Sequence, residues 1–376
     1  MIDILNDKSL TILPILIMEK IMAFEWGKST LMYIQKYAKK MSIQINIIRD
    51  SQSATHLTPN SLLIVYGNDA EWLDKTLQEL APLQLRIILL DYPSTKCHTN
   101  ISHILINQAP LIQNCLELLK AQGRNKTAFW GVQKNDITDA IKADCFAQHI
   151  SQDDVYQITD DIHNCFQLFL KKIHNYDSVI CANDHIAVYL MSQCRKFGIA
   201  IPQDLHIIGN GNTWIASHTT PSLTTSSDNR ESLAATIIRI CINMHSCPTI
   251  KTMDVFLNFG LIERESTGRL CSYTEESDIF QLQYPIRSIC DVSLDELCPD
   301  LLRINKLNEV LSSRTQTELQ ILKLLTFDKT YRDIAEELFL SIDTVKYYVK
   351  KLYALLDINS RKELISLTDE YQIHYI

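Results

Sequence analysis

Between residues 10 and 210, short apolar runs alternate with longer stretches in which apolar residues recur at helical spacing. The runs at 43–48, 62–65, 86–90, 127–130, 178–181 and 205–208 are rich in β-branched residues or leucine. Runs of that kind predict strands buried on both faces. The apolar run at 10–18 predicts a further buried strand. Between the runs, 29–40, 70–80, 111–122 and 187–197 predict helices with one apolar face. Strand–helix alternation implies α/β architecture, a doubly wound parallel sheet covered on both faces, as one domain or two stacked ones.

From 211 the pattern is less regular, with a helix predicted at 230–243 and a strand at 255–262. Residues 269–288 are polar and contain Tyr284-Pro285, which marks a linker. The stretch 293–312 has helical spacing but contains Pro299, expected to break or kink it. The division that follows is a first domain over 1–268, a linker over 269–311 and a helical domain over 312–376.

The C-terminal tail reads as four short helices. The first covers 317–325; the second runs from Thr330 to Leu338, with Thr330 and Asp333 spaced as a capping box. A tight turn through Phe339 and Leu340 leads to Ser341, which suits the N-cap of a third helix ending at Leu356. A last helix starts near 358. A tight turn between the second and third of four helices describes a helix-turn-helix. In the third helix Val345, Val349, Leu352 and Leu356 share a face, which predicts the core side. Lys346, Tyr347, Lys350 and Lys351 lie toward the other side and suit the major groove of DNA. Ser341 and Thr344, at the helix start, suit phosphate oxygens.

Composition adds limits. A chain of 376 residues fits two or three domains, and 46% hydrophobic with 21% charged residues is ordinary for a globular protein. The net charge of -8 excludes a polybasic coat but not a local basic surface. The 11 cysteines form no CxxC pair, and even the closest pair, Cys241 and Cys247, matches no common metal site. They are expected as buried free thiols, with no metal and no cofactor. The run at 10–18 follows Asp3 and Asp7 rather than a basic segment and is too short to cross a bilayer, so a cytoplasmic protein is expected. No GxSxG, P-loop, HExxH or GxGxxG occurs, so no enzyme is expected. Paired acidic residues after the first strand, needed by a phosphorylated receiver, are also missing.

Two resemblances sharpen this reading. Residues from Glu318 to Leu364 resemble the LuxR/GerE-type DNA-binding domain through Glu318, Ile321, Leu322, Leu324, Leu325, Asp333, Ile334, Ala335, Leu338, Ser341, Thr344, Val345, Lys346, Leu352, Leu356, Ser360, Arg361 and Leu364. The resemblance implies that Lys346, Tyr347 and Lys350 face base edges and that Ser341, Thr344 and Lys351 hold phosphates. It also implies a dimer contact on the last helix, through Leu364 and Leu367. The chain departs from the pattern at Thr317, Asp328, Tyr348 and Leu355.

Val179-Ile-Cys-Ala-Asn-Asp-His-Ile-Ala187, Gly198-Ile-Ala-Ile-Pro-Gln-Asp-Leu-His-Ile-Ile-Gly209, Pro221-Ser-Leu-Thr-Thr225 and Leu261-Ile-Glu-Arg-Glu-Ser-Thr267 resemble four motifs of LacI-type regulators, in the family's order. This implies a two-lobed, periplasmic-binding-protein-like sensor with a small-molecule effector, a sugar or sugar-like metabolite. Asn183, at a strand end, and Asn210 are the polar ligand candidates, with Asp184 expected to cap the following helix. Lys142 stands where the family often has a cleft arginine. Trp26, expected in the loop after the first strand, suits stacking on a ring. Gly211 replaces an acidic residue that usually holds a sugar hydroxyl. LacI-type regulators carry their DNA reader at the other end of the chain. The function expected is a homodimeric, ligand-responsive transcription regulator bound to double-stranded promoter DNA. The alternative is a cytosolic ligand-binding receptor whose helical tail contacts another protein.

Overall fold

The computed structural model describes residues 10–23, 25–90, 100–134, 136–159, 161–227, 229–268 and 299–373. In chain order the elements are β1 (Ile12–Ile17), α1 (Glu25–Lys40), β2 (Gln44–Ile48), β3 (Leu62–Tyr66), α2 (Ala70–Leu80), β4 (Arg86–Leu90), β5 (Ile101–Ile106) and α3 (Gln108–Ala121). There follow β6 (Thr127–Gln133), α4 (Ile137–His149), β7 (Val155–Ile158), α5 (Ile162–Lys172), β8 (Ser178–Cys181), α6 (Asp184–Lys196), β9 (His206–Ile208) and α7 (Trp214–His218). Then come β10 (Thr225–Ser226), α8 (Arg230–Ser246), β11 (Val255–Leu257) and β12 (Leu261–Ile262). The helices α9 (Pro299–Ser312), α10 (Gln316–Thr326), α11 (Tyr331–Glu337), α12 (Ile342–Leu356) and α13 (Arg361–Tyr371) complete the chain.

These elements form two compact units. The first takes in residues up to 113 together with 133–152 and 228–260; the second takes in 114–132, 153–227 and the residues from 261 on. In the first unit, a six-stranded sheet runs in the order β11-β5-β4-β3-β1-β2, with every pair parallel. Alternate residues feed two cores. Leu13, Ile15, Leu62, Ile64 and Ile88 meet α1 and α8 through Ile34, Ile237 and Cys241. Leu16, Leu63, Val65, Ile87 and Leu89 meet α2 through Leu73, Leu77 and Leu80. Both faces of β3 and β4 are thereby buried, which is why 62–66 and 87–90 are unbroken apolar runs. By contrast β2 is an edge strand, and Ile47 is 43% exposed.

In the second unit a sheet ordered β7-β6-β8-β9 carries parallel pairing from β6 through β8 to β9, and β10 pairs antiparallel with β12. Trp130 of β6 stacks on Tyr189 of α6 at 6.2 Å between ring centroids, and both are buried. Cys165, Cys181 and Cys194 are free and buried here, and burial raises their thiol pKa values, to about 12 for Cys165 and Cys194.

The structure corrects two sequence expectations. The stretch at 255–262 is not one strand. β11 pairs with β5 in the first unit, whereas β12 pairs with β10 in the second, so the chain passes from the first unit to the second after Gly260. Within the expected linker, 269–298 lie outside the described residues, but the C-terminal part is a packed helix. Pro299 starts α9 instead of breaking it, since a first-turn residue needs no N–H partner. Ile304, Leu307 and Leu311 of α9 are fully buried.

Candidate DNA interface and effector-side loops

The C-terminal helices have the caps their sequence requires. Thr315 and Glu318 form a capping box on α10, and Thr330 and Asp333 form one on α11. Ser341 caps α12, its Oγ accepting from the Thr344 N–H at 3.0 Å and lying 2.7 Å from Thr344 Oγ1. Val345, Val349, Leu352 and Leu356 of α12 are buried, as their spacing predicts. The bundle is closed by Arg361, which donates to the carbonyls of Lys329, at 2.9 Å, and Leu325. That guanidinium ties α13 to the end of α10, a structural role not evident from sequence.

Burial of that stripe turns the remaining face of α12 outward. Tyr347 is 63% exposed, and Lys346 and Lys350 are exposed beside it. Lys346 Nζ lies 3.8 Å from Asp343 in the first turn. A groove of about 460 Å³ runs along this side, lined by Tyr331, Lys346, Lys350, Tyr353 and Asn359 among others. Tyr331, Tyr353 and Asn359 were not singled out in the sequence; each comes from a different turn or element, so no local spacing links them. Lys351 is placed differently. Its Nζ lies 3.4 Å from Glu318 Oε1 on α10, where Arg314 lies 3.5 Å from the same oxygen. Burial pushes the Glu318 carboxyl up, but the Thr315 N–H and the two cations outweigh it and hold it below the usual range.

The effector candidates fall in different units, Trp26 and Lys142 in the first and Asn183 and Asn210 in the second. Trp26 lies in the first turn of α1 rather than in a loop, with its ring edge-on to Tyr66 at 5.8 Å. Lys142 on α4 is buried, with Nζ 3.0 Å from Asp139. Asn183 and Asn210 sit beside each other, because the Asp184 N–H donates to the Asn210 carbonyl at 3.0 Å. The Asn210 side chain accepts from Ser226 Oγ at 2.6 Å.

The expected cap is corrected: the helix is capped by Asn183 and not by Asp184. Asn183 is the N-cap of α6, accepting from the Ile186 N–H at 3.0 Å. Asp184 is only 1% exposed and clamps two loops. Its Oδ2 accepts from the N–H and hydroxyl of Thr213, at 2.7 and 3.0 Å, and its Oδ1 from Thr225 Oγ1 at 2.6 Å. Gly209 is required next to it, since a Cβ there would collide with Asp184 and Leu223. Arg264 completes the cluster, donating to Asn212 Oδ1 and to the Leu223 carbonyl, each at 2.8 Å. The polar loops 209–213 and 222–226 are thus set at the C-terminal ends of β8 and β9, the usual ligand side of a parallel sheet.

Residues 116–267 match the family of periplasmic binding protein-like domains, and residues 310–368 match the luxR family of bacterial regulatory proteins. The HTH-type transcriptional regulator RegA of Clostridium saccharobutylicum is 29% identical over 101 residues, 27% of this chain and 30% of RegA. The HTH-type transcriptional repressor PurR of Salmonella paratyphi B is 26% identical over 106 residues, 28% of this chain and 31% of PurR. These matches span less than a third of either relative. Among solved structures, a complex of the transcriptional regulator CelR with cellobiose has a TM-score of 0.57 at 14% identity, covering 69% of this chain and 85% of that one. The lac repressor dimer bound to operator and the anti-inducer ONPF has a TM-score of 0.54 at 15% identity, covering 70% and 82%. A periplasmic binding protein/LacI transcriptional regulator of Alkaliphilus metalliredigens, complexed with D-xylulofuranose, has a TM-score of 0.52 at 22% identity, covering 68% and 98%. At these identities the likeness is one of fold.

Proposed function

Because the chain joins a LacI-type, periplasmic-binding-protein-like fold to a C-terminal luxR-type helix-turn-helix, we propose that it is a ligand-responsive transcription regulator acting on promoter DNA in the cytoplasm. The observation that carries this reading is α12. It is capped by Ser341, anchored by four buried apolar residues, and presents Lys346, Tyr347 and Lys350 outward on one face. A helix so mounted fits the major groove, where lysine reaches guanine edges and an aromatic ring meets thymine methyls. Ser341 and Thr344, at the positive end of the helix, hold phosphate oxygens. Lys351 does so after exchanging Glu318 for a phosphate. A homodimer places two such helices on half-sites about one helical turn apart.

The effector is a small molecule, sugar or sugar-like. Within the second unit, Asn183 and Asn210 offer it amide groups at the C-terminal ends of β8 and β9. The named relatives support a regulator, and cellobiose and D-xylulofuranose in two of the related structures support a carbohydrate-sized effector.

Fluorescence anisotropy with the gene's own upstream DNA tests the proposal. The Lys346→Ala/Lys350→Ala variant is expected to lose affinity by about 1–3 kcal/mol per lost base contact. Its dependence of affinity on salt should also flatten. Equal and salt-insensitive binding by wild type and variant refutes DNA recognition through α12. A thermal-shift screen of sugars and sugar phosphates tests the effector, because a ligand of the folded state raises its stability.

A further inference from the structure

Within the second unit, the helix-turn-helix is seated on the sensor fold at two places. The first is α9, which packs on α6 and α7 and also against α12. Its Asn308 is fully buried and accepts from the Ile215 N–H at the start of α7, at 2.8 Å. The second is the end of α13. There Arg195, in the last turn of α6, donates to the carbonyls of Asp369 at 3.1 Å and Glu370 at 3.4 Å. Lys196 Nζ lies 3.1 Å from the Glu370 carboxylate. Gln372 then takes a left-handed turn (φ 49) that ends α13. The turn brings Gln372 and Ile373 alongside Thr219 and Thr220: the Thr220 N–H donates to the Gln372 carbonyl at 3.0 Å, and Thr219 and Ile373 form an antiparallel bridge. Tyr371 and Ile373 are 2% and 4% exposed beneath these bonds.

The chemistry is that of a built joint. The last carbonyls of a helix have no partner within it and carry partial negative charge. Here they are met by a guanidinium and a backbone N–H from another part of the chain. The elements that receive them, 214–220 and α6, also hold the effector-side loops, because Asp184 opens α6 and clamps Thr213 and Thr225. One end of α6 therefore holds the loops and the other holds α13.

We propose that α9 and the foot of α13 form an intramolecular docking interface that fixes the helix-turn-helix to the α6–α7 face. Movement of the 209–226 loops then reaches α12 as rotation of one rigid piece, not as release of a free module. Leu364 of α13 is fully buried within the chain, so the dimer contact that resemblance assigned to it is not open to a second copy. The docking stands whatever α12 binds; only its regulatory use rests on the DNA-reading role.

Hydrogen–deuterium exchange of the full chain, followed by mass spectrometry, tests the docking without DNA. Peptides covering 214–220 are expected to exchange slowly in the wild type. Ile373→Asp should accelerate them, together with peptides of α9, by about tenfold or more while β6 and β8 stay protected. Lys196→Glu leaves the apolar contact intact and should give the same pattern at roughly threefold. Fast exchange of 214–220 in the wild type overturns the proposal, as does acceleration confined to α13 in Ile373→Asp. Should Ile373→Asp also expose β6 and β8, Lys196→Glu decides, and unchanged exchange in that variant overturns it. Failure of DNA binding in the anisotropy assay would leave these outcomes untouched, so the two readings fail separately.

Discussion

Asp184 shows how a single buried carboxylate can hold two segments of the chain together. Its three donors come from Thr213, in the loop after β9, and Thr225, at the start of β10, so one carboxylate joins two separate segments. Replacing it by Asn keeps the shape but turns one acceptor into a donor facing a donor. Asp184→Asn is expected to cost about 1–3 kcal/mol, the penalty for a buried polar group left unmatched. A shift in the urea midpoint without a change in slope would measure it. The Asn-Asp pair was legible as a strand-to-helix turn, yet the division of labour was not. Both residues can cap a helix, and only burial tells which one faces inward. Phe339 has the opposite character. It is 96% exposed with φ 54, so a bulky side chain occupies a left-handed position and packs on nothing. Phe339→Gly is expected to raise stability by about 0.5–1 kcal/mol, seen as a higher unfolding midpoint. A lower midpoint would mean that the ring makes contacts in the folded chain.

The helices at 70–80 and 187–197 are legible nearly to their ends and α12 most clearly, because its caps and its spacing agree, whereas α4 and α5 are not singled out by the same search. The box of α11 is legible from Thr330 and Asp333, whereas that of α10 is hidden because the apolar spacing starts the helix at Thr317, one residue after its first residue Gln316, and so passes over Thr315 as the cap. Strands were less evenly visible. β5 reads Ile-Ser-His-Ile-Leu-Ile and β7 reads Val-Tyr-Gln-Ile, and polar residues inside such short runs hide them from a search for apolar blocks. The cap of α12 carries a prediction at this level. Ser341→Ala removes the acceptor for the Thr344 N–H and is expected to cost about 1 kcal/mol of stability. Ser341→Asp restores the acceptor and the stability, but places a negative charge where phosphate is expected. Its DNA affinity should therefore fall below that of Ser341→Ala. If both variants bind DNA like wild type, the cap is structural only and the phosphate role is lost.

The division into two units was the least legible feature, because it is made by chain crossings rather than by composition. The stretch at 255–262 is interrupted only by Asn258 and Gly260, yet it belongs half to one sheet and half to the other. The division has a consequence for stability against acid. His206 and His218 both lie in the second unit. Burial pushes His206 down to about 4, helped by Arg124, with its Nδ1 3.0 Å from Gln122 Oε1. Burial likewise pushes His218 down to about 4; its ring stacks on Trp214 at 3.7 Å. Each histidine is neutral in the folded chain while its unfolded counterpart titrates near pH 6.5. Above pH 6.5 neither state binds the proton and nothing is lost. As pH falls from 6.5 toward 4, the unfolded state takes up protons that the folded state refuses, and stability declines by up to about 3 kcal/mol for the well-buried His218 and by less for His206, whose charge solvent partly screens. Calorimetry of the full chain is therefore expected to show the second unit melting earlier as pH falls from 7 to 5. His218→Gln keeps a polar side chain near the Trp214 carbonyl but cannot titrate, and should remove the larger part of that dependence. Because the helix-turn-helix is part of the same unit, its exchange protection should fall with that of β8 over the same window. Loss of protection in α10 to α13 alone, with β8 unaffected, would show that the acid response arises in the helical bundle and not at these two histidines.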